Sequence, residues 1–225
     1  TMLGSPAQAD LKSAGITKLN EMIHAYIVEN PEVIRDALQQ LAEREDKAQK
    51  LQALAFLEKS DGDPVLGNPD GSLVVYEFSD YNCGYCKRVF GPIQDILSED
   101  RDIRFVIKEF PILSQSSLAA AQAAIATHKQ GVFPQYHITM MTNPGAISMD
   151  TILAAARDAG ADLGQLKKDM RSPETAAIIN RTRISADQLQ ISGTPGLVIG
   201  STIIPGAIGS DELRRLIAEE RAKNG

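Results

Sequence analysis

LVVYEFSDYNCGYCKRVF, residues 73–90, holds both cysteines of a 225-residue chain, separated only by Gly84 and Tyr85. The run before them, Leu73 to Asp80, is β-branched and aromatic and reads as a buried strand. A helix is expected after them, from Gly84 to about Ser98. IRFVIKEF, Ile103 to Phe110, is a second strand. Strand, helix and strand within so short a span make a βαβ unit with a parallel pair, the mark of an α/β protein. The cysteines fall where its first strand ends and its helix begins.

Outward from this unit the pattern changes on both sides. Residues 15–59 are nearly free of turn residues. Ile16, Leu19, Ile23, Tyr26 and Ile27 recur at helical spacing. Asn30-Pro31-Glu32 signals a new start, with Asn30 a possible cap and Pro31 suited to the first helical position. A second helix then runs to about Lys59, its stripe Ile34, Leu38, Leu41, Ala48, Leu51 and Ala55 interrupted by the polar EREDK, residues 43–47. Two helices cannot bury a core alone. Their stripe meets either the main domain or other copies of itself, and the length of the second helix favours self-association. SDGDPVLGNPDGS, residues 60–72, is a linker with a short strand near Pro64 to Gly67 and a turn at Asn68 to Gly71.

Beyond the βαβ unit, residues 116–190 are helical in pattern, with segments ending at Gly131 and Gly160 and starting at Ser148 and Ser172. GLVIG and TIIPG, Gly196 to Gly206, form a hairpin through Gly200-Ser201. A final amphipathic helix opens at Ser210.

The apolar fraction of 43% is that of a globular protein, and the net charge of −6 argues against nucleic acid or an anionic membrane as the main partner. No run of about 18 apolar residues offers membrane insertion. SPAQAD, with Ala7 and Ala9, reads like the tail of a signal-peptide cleavage site, so a secreted protein with its signal removed is expected. A disordered polar tail over residues 1–14 of a cytosolic protein fits the same residues.

The cysteine pair has four readings. As a staple, a bridge over so short a loop would contribute roughly 2 kcal/mol, under half of what a ~100-residue loop gives. Zinc needs about four ligands, and His24, His128 and His137 make no ligand-spaced pair with the cysteines. Copper(I) accepts two thiolates, so Cys83 and Cys86 could hold it. The reactive reading fits the placement. Unpaired amides and the helix dipole at the start of the helix favour a thiolate on Cys83, with Cys86 one turn on as the resolving thiol. Glu77, six residues before Cys83, could lie beneath the pair and exchange the proton of Cys86, and Lys108 on the neighbouring strand could pair with Glu77. Alternatively both reach solvent at a strand end.

EFSDYNCGYC, KEFPIL and SGTPGLVIG together resemble the DsbA-like periplasmic thiol–disulfide oxidoreductases of the thioredoxin superfamily. The resemblance implies a thioredoxin fold, residues 73–113 and 191–225, with an inserted α-helical domain over 114–190. It implies a cis proline at Pro195 facing the cysteines, with Thr194 offering its backbone to an extended substrate, and it assigns the family's buried acid to Glu77. Gly84 and Tyr85 would also touch substrate. Residues 15–59 look like the oligomerisation arm of the suppressor-of-copper-sensitivity C proteins, which implies a homotrimer and a side role in copper tolerance.

Three functions remain open. One is a disulfide isomerase or reductase, kept reduced by a membrane thiol-reductase and acting on misfolded or copper-oxidised secreted proteins. The second is a dithiol oxidase. The third is a copper(I)-binding or scaffold module. The first two need no cofactor beyond a redox-active Cys83–Cys86 disulfide. The helical arm favours the first, since an assembly can shield its sites from an oxidising partner.

Overall fold

The structure, a computed structural model, describes residues 6–224, with side chains over residues 15–223. The chain divides into two compact units, one ending at Leu51 and the other spanning Gln52–Gly225.

The first unit consists of α1, Pro6–Glu29, and the opening part of α2, Glu32–Leu57. The disordered tail expected over residues 1–14 lies outside the described residues for 1–5 and is helix from Pro6 on. Ala, Gln, Leu and Lys there are good helix formers, and a proline is tolerated at a helix start. Asn30 serves the opposite end from the one expected. Its side-chain amide donates to the Tyr26 carbonyl at 2.9 Å, closing α1 instead of capping α2. The polar 43–47 stretch does not interrupt α2. Ile16, Leu19, Ile23, Tyr26, Ile34, Leu38 and Leu41 are all exposed.

The second unit is built on a sheet of β1, Val65–Gly67; β2, Leu73–Ser79; β3, Ile103–Glu109; β4, Gly196–Ile199; and β5, Thr202–Pro205. Their order is β1-β3-β2-β4-β5, with β2 and β3 parallel and every other pairing antiparallel. The parallel pair is bridged by α3, Gly84–Glu99, as the βαβ pattern requires. Gly200 opens the β4–β5 loop with φ +55°, the positive φ that a tight hairpin loop of type II′ asks of its first residue.

Because successive strand residues point to opposite faces, the sheet carries two cores. Val75, Ile107 and Leu197 pack with Cys86, Val89 and Ile93 of α3 and with Leu213 and Ile217 of α9, Ser210–Asn224. Tyr76, Phe78, Val106 and Val198 on the other face pack with Ala53 and Leu57. The arm expected over residues 15–59 is therefore shorter. The last turns of α2 are part of the second unit, because a sheet face this apolar has to be covered and Leu57, 1% exposed, covers it.

Between β3 and β4 the chain leaves the sheet for α4, Gln115–Lys129; α5, Phe133–Thr142; α6, Met149–Asp158; α7, Leu163–Met170; and α8, Pro173–Gln188. Ala120, Ala121, Ala123, Ala124 and Ala126 of α4 are all buried, so α4 is the centre of this bundle and the other helices surround it. Side chains of Ser114, Ser148, Asp162 and Ser172 each accept the backbone amide three residues on, caps worth about 1 kcal/mol apiece. Two of these helices, α5 and α7, lie inside the stretch that the sequence shows only as helical in pattern.

Removing residues up to 51 should leave the second unit's stability nearly unchanged, whereas starting the chain at Ser60 should destabilise it. Losing Ala53 and Leu57 uncovers the sheet, and a buried leucine cut to alanine alone costs about 2–5 kcal/mol. Urea midpoints of the two truncations check this; equal midpoints would place the end of α2 outside the folded unit.

Candidate active site

Cys83 is the N-cap of α3, with extended backbone (φ −81°, ψ 114°), and its carbonyl accepts the amide of Lys87 at 3.1 Å. The sulfur does not take a helix amide. It lies 3.2 Å from the backbone carbonyl oxygen of Thr194, to which its thiol donates. Cys83 thus occupies the N-cap position expected of it, and no side-chain cap bond forms there, because the sulfur is turned toward the Thr194–Pro195 turn. Thr194–Pro195 is a cis peptide bond and brings that carbonyl against the cysteine. A groove of about 430 Å³ runs past the turn, lined by Leu189, Ile191, Thr194, Pro195 and Ile203.

The two thiols are free and unequally placed. Cys83 keeps 6% of its surface and Cys86 none. Gly84 and Tyr85 lie between them at the start of α3, and the Tyr85 ring projects outward with the Arg88 guanidinium 4.7 Å from its centre. Burial, and then the charge of Glu77, push the Cys86 thiol well above the ordinary cysteine range. Cys86 therefore stays protonated until something nearby accepts its proton.

Glu77 is the carboxyl whose charge Cys86 feels. β2 places it on the same sheet face as Val75, beneath α3, where it is 1% exposed and its Oε1 has no hydrogen-bond partner. Burial raises its carboxyl from 4.5 to about 7. The Ser79 hydroxyl, two residues on and on the same face, is close enough to ease the charge on both Glu77 and Cys86, although it meets the full geometry of a hydrogen bond with neither.

Lys108 is not the partner of Glu77. In the β2–β3 register Glu77 stands beside Ile107, and Lys108 beside Phe78 on the opposite face. There the Lys108 ammonium, fully buried, lies 2.6 Å from Oδ2 of Asp63, which Arg181 of α8 also meets at 3.1 Å. Burial holds the Lys108 ammonium below its ordinary range against the pull of Asp63. A one-residue change of parity separates the two readings, and only the register decides between them.

The sequence reading missed three groups. The Asp80 carboxylate accepts the amides of Asn82, Ile112 and Leu113 at 2.8–3.0 Å, tying the cysteine turn to the segment after β3. The side-chain amide of Asn82 reaches the hydroxyls of Ser114, Ser116 and Ser117 at the head of α4. Beneath the turn, the Tyr81 hydroxyl sits 3.2 Å from Glu109 Oε1 and 2.9 Å from His137 Nδ1. An Asp two residues ahead of an Asn is a readable turn signal. Glu109 and His137 carry no such signal, because their neighbours come from distant elements.

This is the fold and the site of a DsbA-like protein: a sheet with a helical insertion, and a dithiol at a helix start facing a cis proline. The chain belongs to the thioredoxin family, whose model, described as Thioredoxin, matches residues 59–219, and residues 17–48 match the Copper resistance protein ScsC N-terminal domain. It is thus of the ScsC type.

Among solved structures, it is 37% identical to a thioredoxin-like oxidoreductase from Silicibacter pomeroyi DSS-3, covering 72% of this chain and 93% of that one with a TM-score of 0.69. A periplasmic thioredoxin-like protein from Salmonella enterica serovar Typhimurium is 28% identical, covering 76% of this chain and 97% of its own, with a TM-score of 0.70. Proteus mirabilis ScsC in a transitional conformation is 28% identical, covering 94% of this chain and 99% of its own, also with a TM-score of 0.70. Among curated proteins, the Na(+)/H(+) antiporter NhaA 1 of Salinispora arenicola is 28% identical over 137 residues, 60% of this chain. The chain spans about a fifth (21%) of the length of that curated relative.

The Glu77 carboxyl gives a sign for stability against pH. Its folded pKa lies above its unfolded one, so the folded chain holds an extra proton between about 4.5 and 7 and loses stability as pH rises through that window. At about 1.4 kcal/mol per pKa unit the cost above pH 7 is on the order of 3 kcal/mol. Glu77→Gln should therefore be more stable than the parent at pH 8 and no different at pH 4. Denaturant titrations at the two pH values read this out; a variant less stable at pH 8 would mean that the ionised carboxylate is held favourably.

Proposed function

We propose that the chain is a periplasmic thiol–disulfide oxidoreductase acting through Cys83 and Cys86, and that it works as a disulfide isomerase or reductase on secreted proteins. The observation that carries this is the inequality of the two thiols. Cys83 stands at the helix start against the substrate-facing Thr194 carbonyl, and Cys86 is sealed in above a carboxyl that is half-ionised near neutrality.

The thiolate of Cys83 attacks one sulfur of a substrate disulfide. A Cys83–substrate bond forms, the substrate S–S bond breaks, and the other substrate sulfur leaves as a thiolate that takes a proton from solvent. In isomerisation another substrate thiolate then attacks the mixed disulfide, forms the new substrate bond and frees Cys83. In reduction Cys86 gives its proton to Glu77, and its thiolate attacks Cys83. The Cys83–Cys86 bond forms, the substrate leaves reduced by two electrons, and the chain is left oxidised. A membrane thiol-reductase returns the dithiol. Gly84, Tyr85, Thr194 and Pro195 flank the path of an extended substrate, with which the Thr194 backbone would pair once the Cys83 thiol no longer donates to its carbonyl.

The exposed stripe of α1 and α2 supports a homotrimer. Ile16, Leu19, Ile23, Tyr26, Leu38 and Leu41 are each about half exposed or more, apolar surface that a monomer would leave in water. The match of residues 17–48 to the ScsC N-terminal domain supports the same reading. An assembly of this kind would favour isomerase over oxidase. The copper(I) reading retains only two thiols, since no group of three or more metal-ligating side chains occurs among the described residues.

Cys83→Ser should abolish reduction of a test disulfide, and Cys86→Ala should accumulate a mixed disulfide detectable by mass. Full activity in Cys83→Ser would remove the nucleophile from this scheme. In scrambled-disulfide refolding the full chain should rearrange bonds, and the chain begun at Gln52 should lose rearrangement and gain net oxidation. If the truncated and full chains behave alike, the arm has no part in directing the chemistry.

A further inference from the structure

The exchange scheme uses one buried carboxyl, yet the same face of the sheet holds a second. Glu109 ends β3 beside Ser79 and lies diagonally across from Glu77 on the adjacent strand. It is 1% exposed, and its Oε2 has no hydrogen-bond partner. Its Oε1 meets the Tyr81 hydroxyl, which also meets Nδ1 of His137 on α5. His137 is enclosed by the rings of Tyr81, Phe90 and Phe133, in a site that keeps it uncharged.

We propose that Glu109 is a second positioning carboxyl of the dithiol site: it shares one buried proton with Glu77, and Tyr81, turning its hydroxyl between Glu109 and His137, lets Glu109 take up or release that proton without stranding a polar group. This rests on the reading of Cys83 and Cys86 as an exchange pair.

The hydrogen-bond inventory allows both states. With Glu109 ionised, the Tyr81 hydroxyl donates to Oε1 and its oxygen accepts from the Nδ1–H tautomer of His137. With Glu109 protonated, its hydroxyl donates to the Tyr81 oxygen, and Tyr81 donates to a bare Nδ1. Neutral imidazole serves either arrangement.

The charges around Glu109 give the direction. Burial pushes its carboxyl well up, the Tyr81 hydrogen bond draws it down, and the carboxylates of Asp80, Glu77 and Asp63 push it up again. Tyr136 of α5 also faces it, with its own hydroxyl donated to the Ala120 carbonyl. Two carboxyls on one dry face do not both ionise freely, so the first proton lost from the pair comes off more readily than the second. With the pair holding one proton, on Glu109, Glu77 is open to accept the proton of Cys86. After the transfer both carboxyls are neutral and Cys86 is the thiolate that attacks Cys83.

The test uses the full chain with glutathione disulfide-linked to Cys83, and follows glutathione release as Cys86 attacks, across pH. In the wild type, release should rise with pH in a broad, two-step fashion. Glu109→Gln removes the competing charge, so the rise should become a single step with its midpoint lower by about one pH unit. Tyr81→Phe removes the donor that favours ionised Glu109 and should move the midpoint in the same direction, which keeps the test open if Glu109→Gln fails to fold. In Glu77→Gln this rise should vanish, and adding Glu109→Gln to it should change nothing further. A loss of folding stability alone would lower active protein without moving a midpoint. Profiles of Glu109→Gln or Tyr81→Phe that superimpose on the wild type would overturn the shared proton while leaving the exchange reading intact. A wild type that never releases glutathione would overturn both.

Discussion

Cys86 and Glu77 occupy one enclosed space under the start of α3, and neither carries its charge there without a large desolvation penalty. One proton between them satisfies the site, since a thiol beside a carboxylate, or a thiolate beside a carboxyl, each leaves a single buried charge. In the proposed exchange, the direction of proton movement between the two groups follows from the redox step that removes or restores the thiol. Cys83, three residues earlier and slightly less buried, meets a backbone carbonyl instead.

That enclosed space exists because the sheet is covered on both faces. α3, α9 and the inserted helices close the face that carries Glu77, and the end of α2 with α8 closes the face that carries Phe78. Charged groups on the second face are handled differently. Lys108 and Asp63 neutralise each other in a direct pair, with Arg181 as a second cation on the same oxygen. Among the described residues, no cation of the first face acts on Glu77 or Glu109. Burial pushes both of these carboxyls toward protonation, whereas the charges of the second face are relieved by pairing.

The inserted helices do more than cover. Asn82 reaches three serines at the head of α4, Lys87 donates to the Asn143 carbonyl at 2.6 Å, and Tyr81 reaches His137 on α5. The cysteine turn is thereby held from the insertion side at several points along its length. A dithiol positioned to within a hydrogen bond on both sides loses little freedom when it meets a substrate disulfide.

The sequence by itself determined the parallel β2–α3–β3 unit, the dithiol at its strand-to-helix turn, the β4–β5 hairpin and the apolar stripe of α1 and α2, because each is written in spacing along a contiguous stretch. It also determined that Glu77 lies on the strand leading to the cysteines. The tertiary structure alone decided on which face each strand residue lies. Lys108 was misplaced for that reason: register, not spacing, sets which residue stands beside Glu77. It alone decided where the arm ends, since Ala53 and Leu57 continue the helical pattern without a break while packing on the sheet. And it alone brought Glu109, Tyr81 and His137 together, because desolvation and hydrogen bonding depend on which distant elements meet, and no local pattern records that meeting.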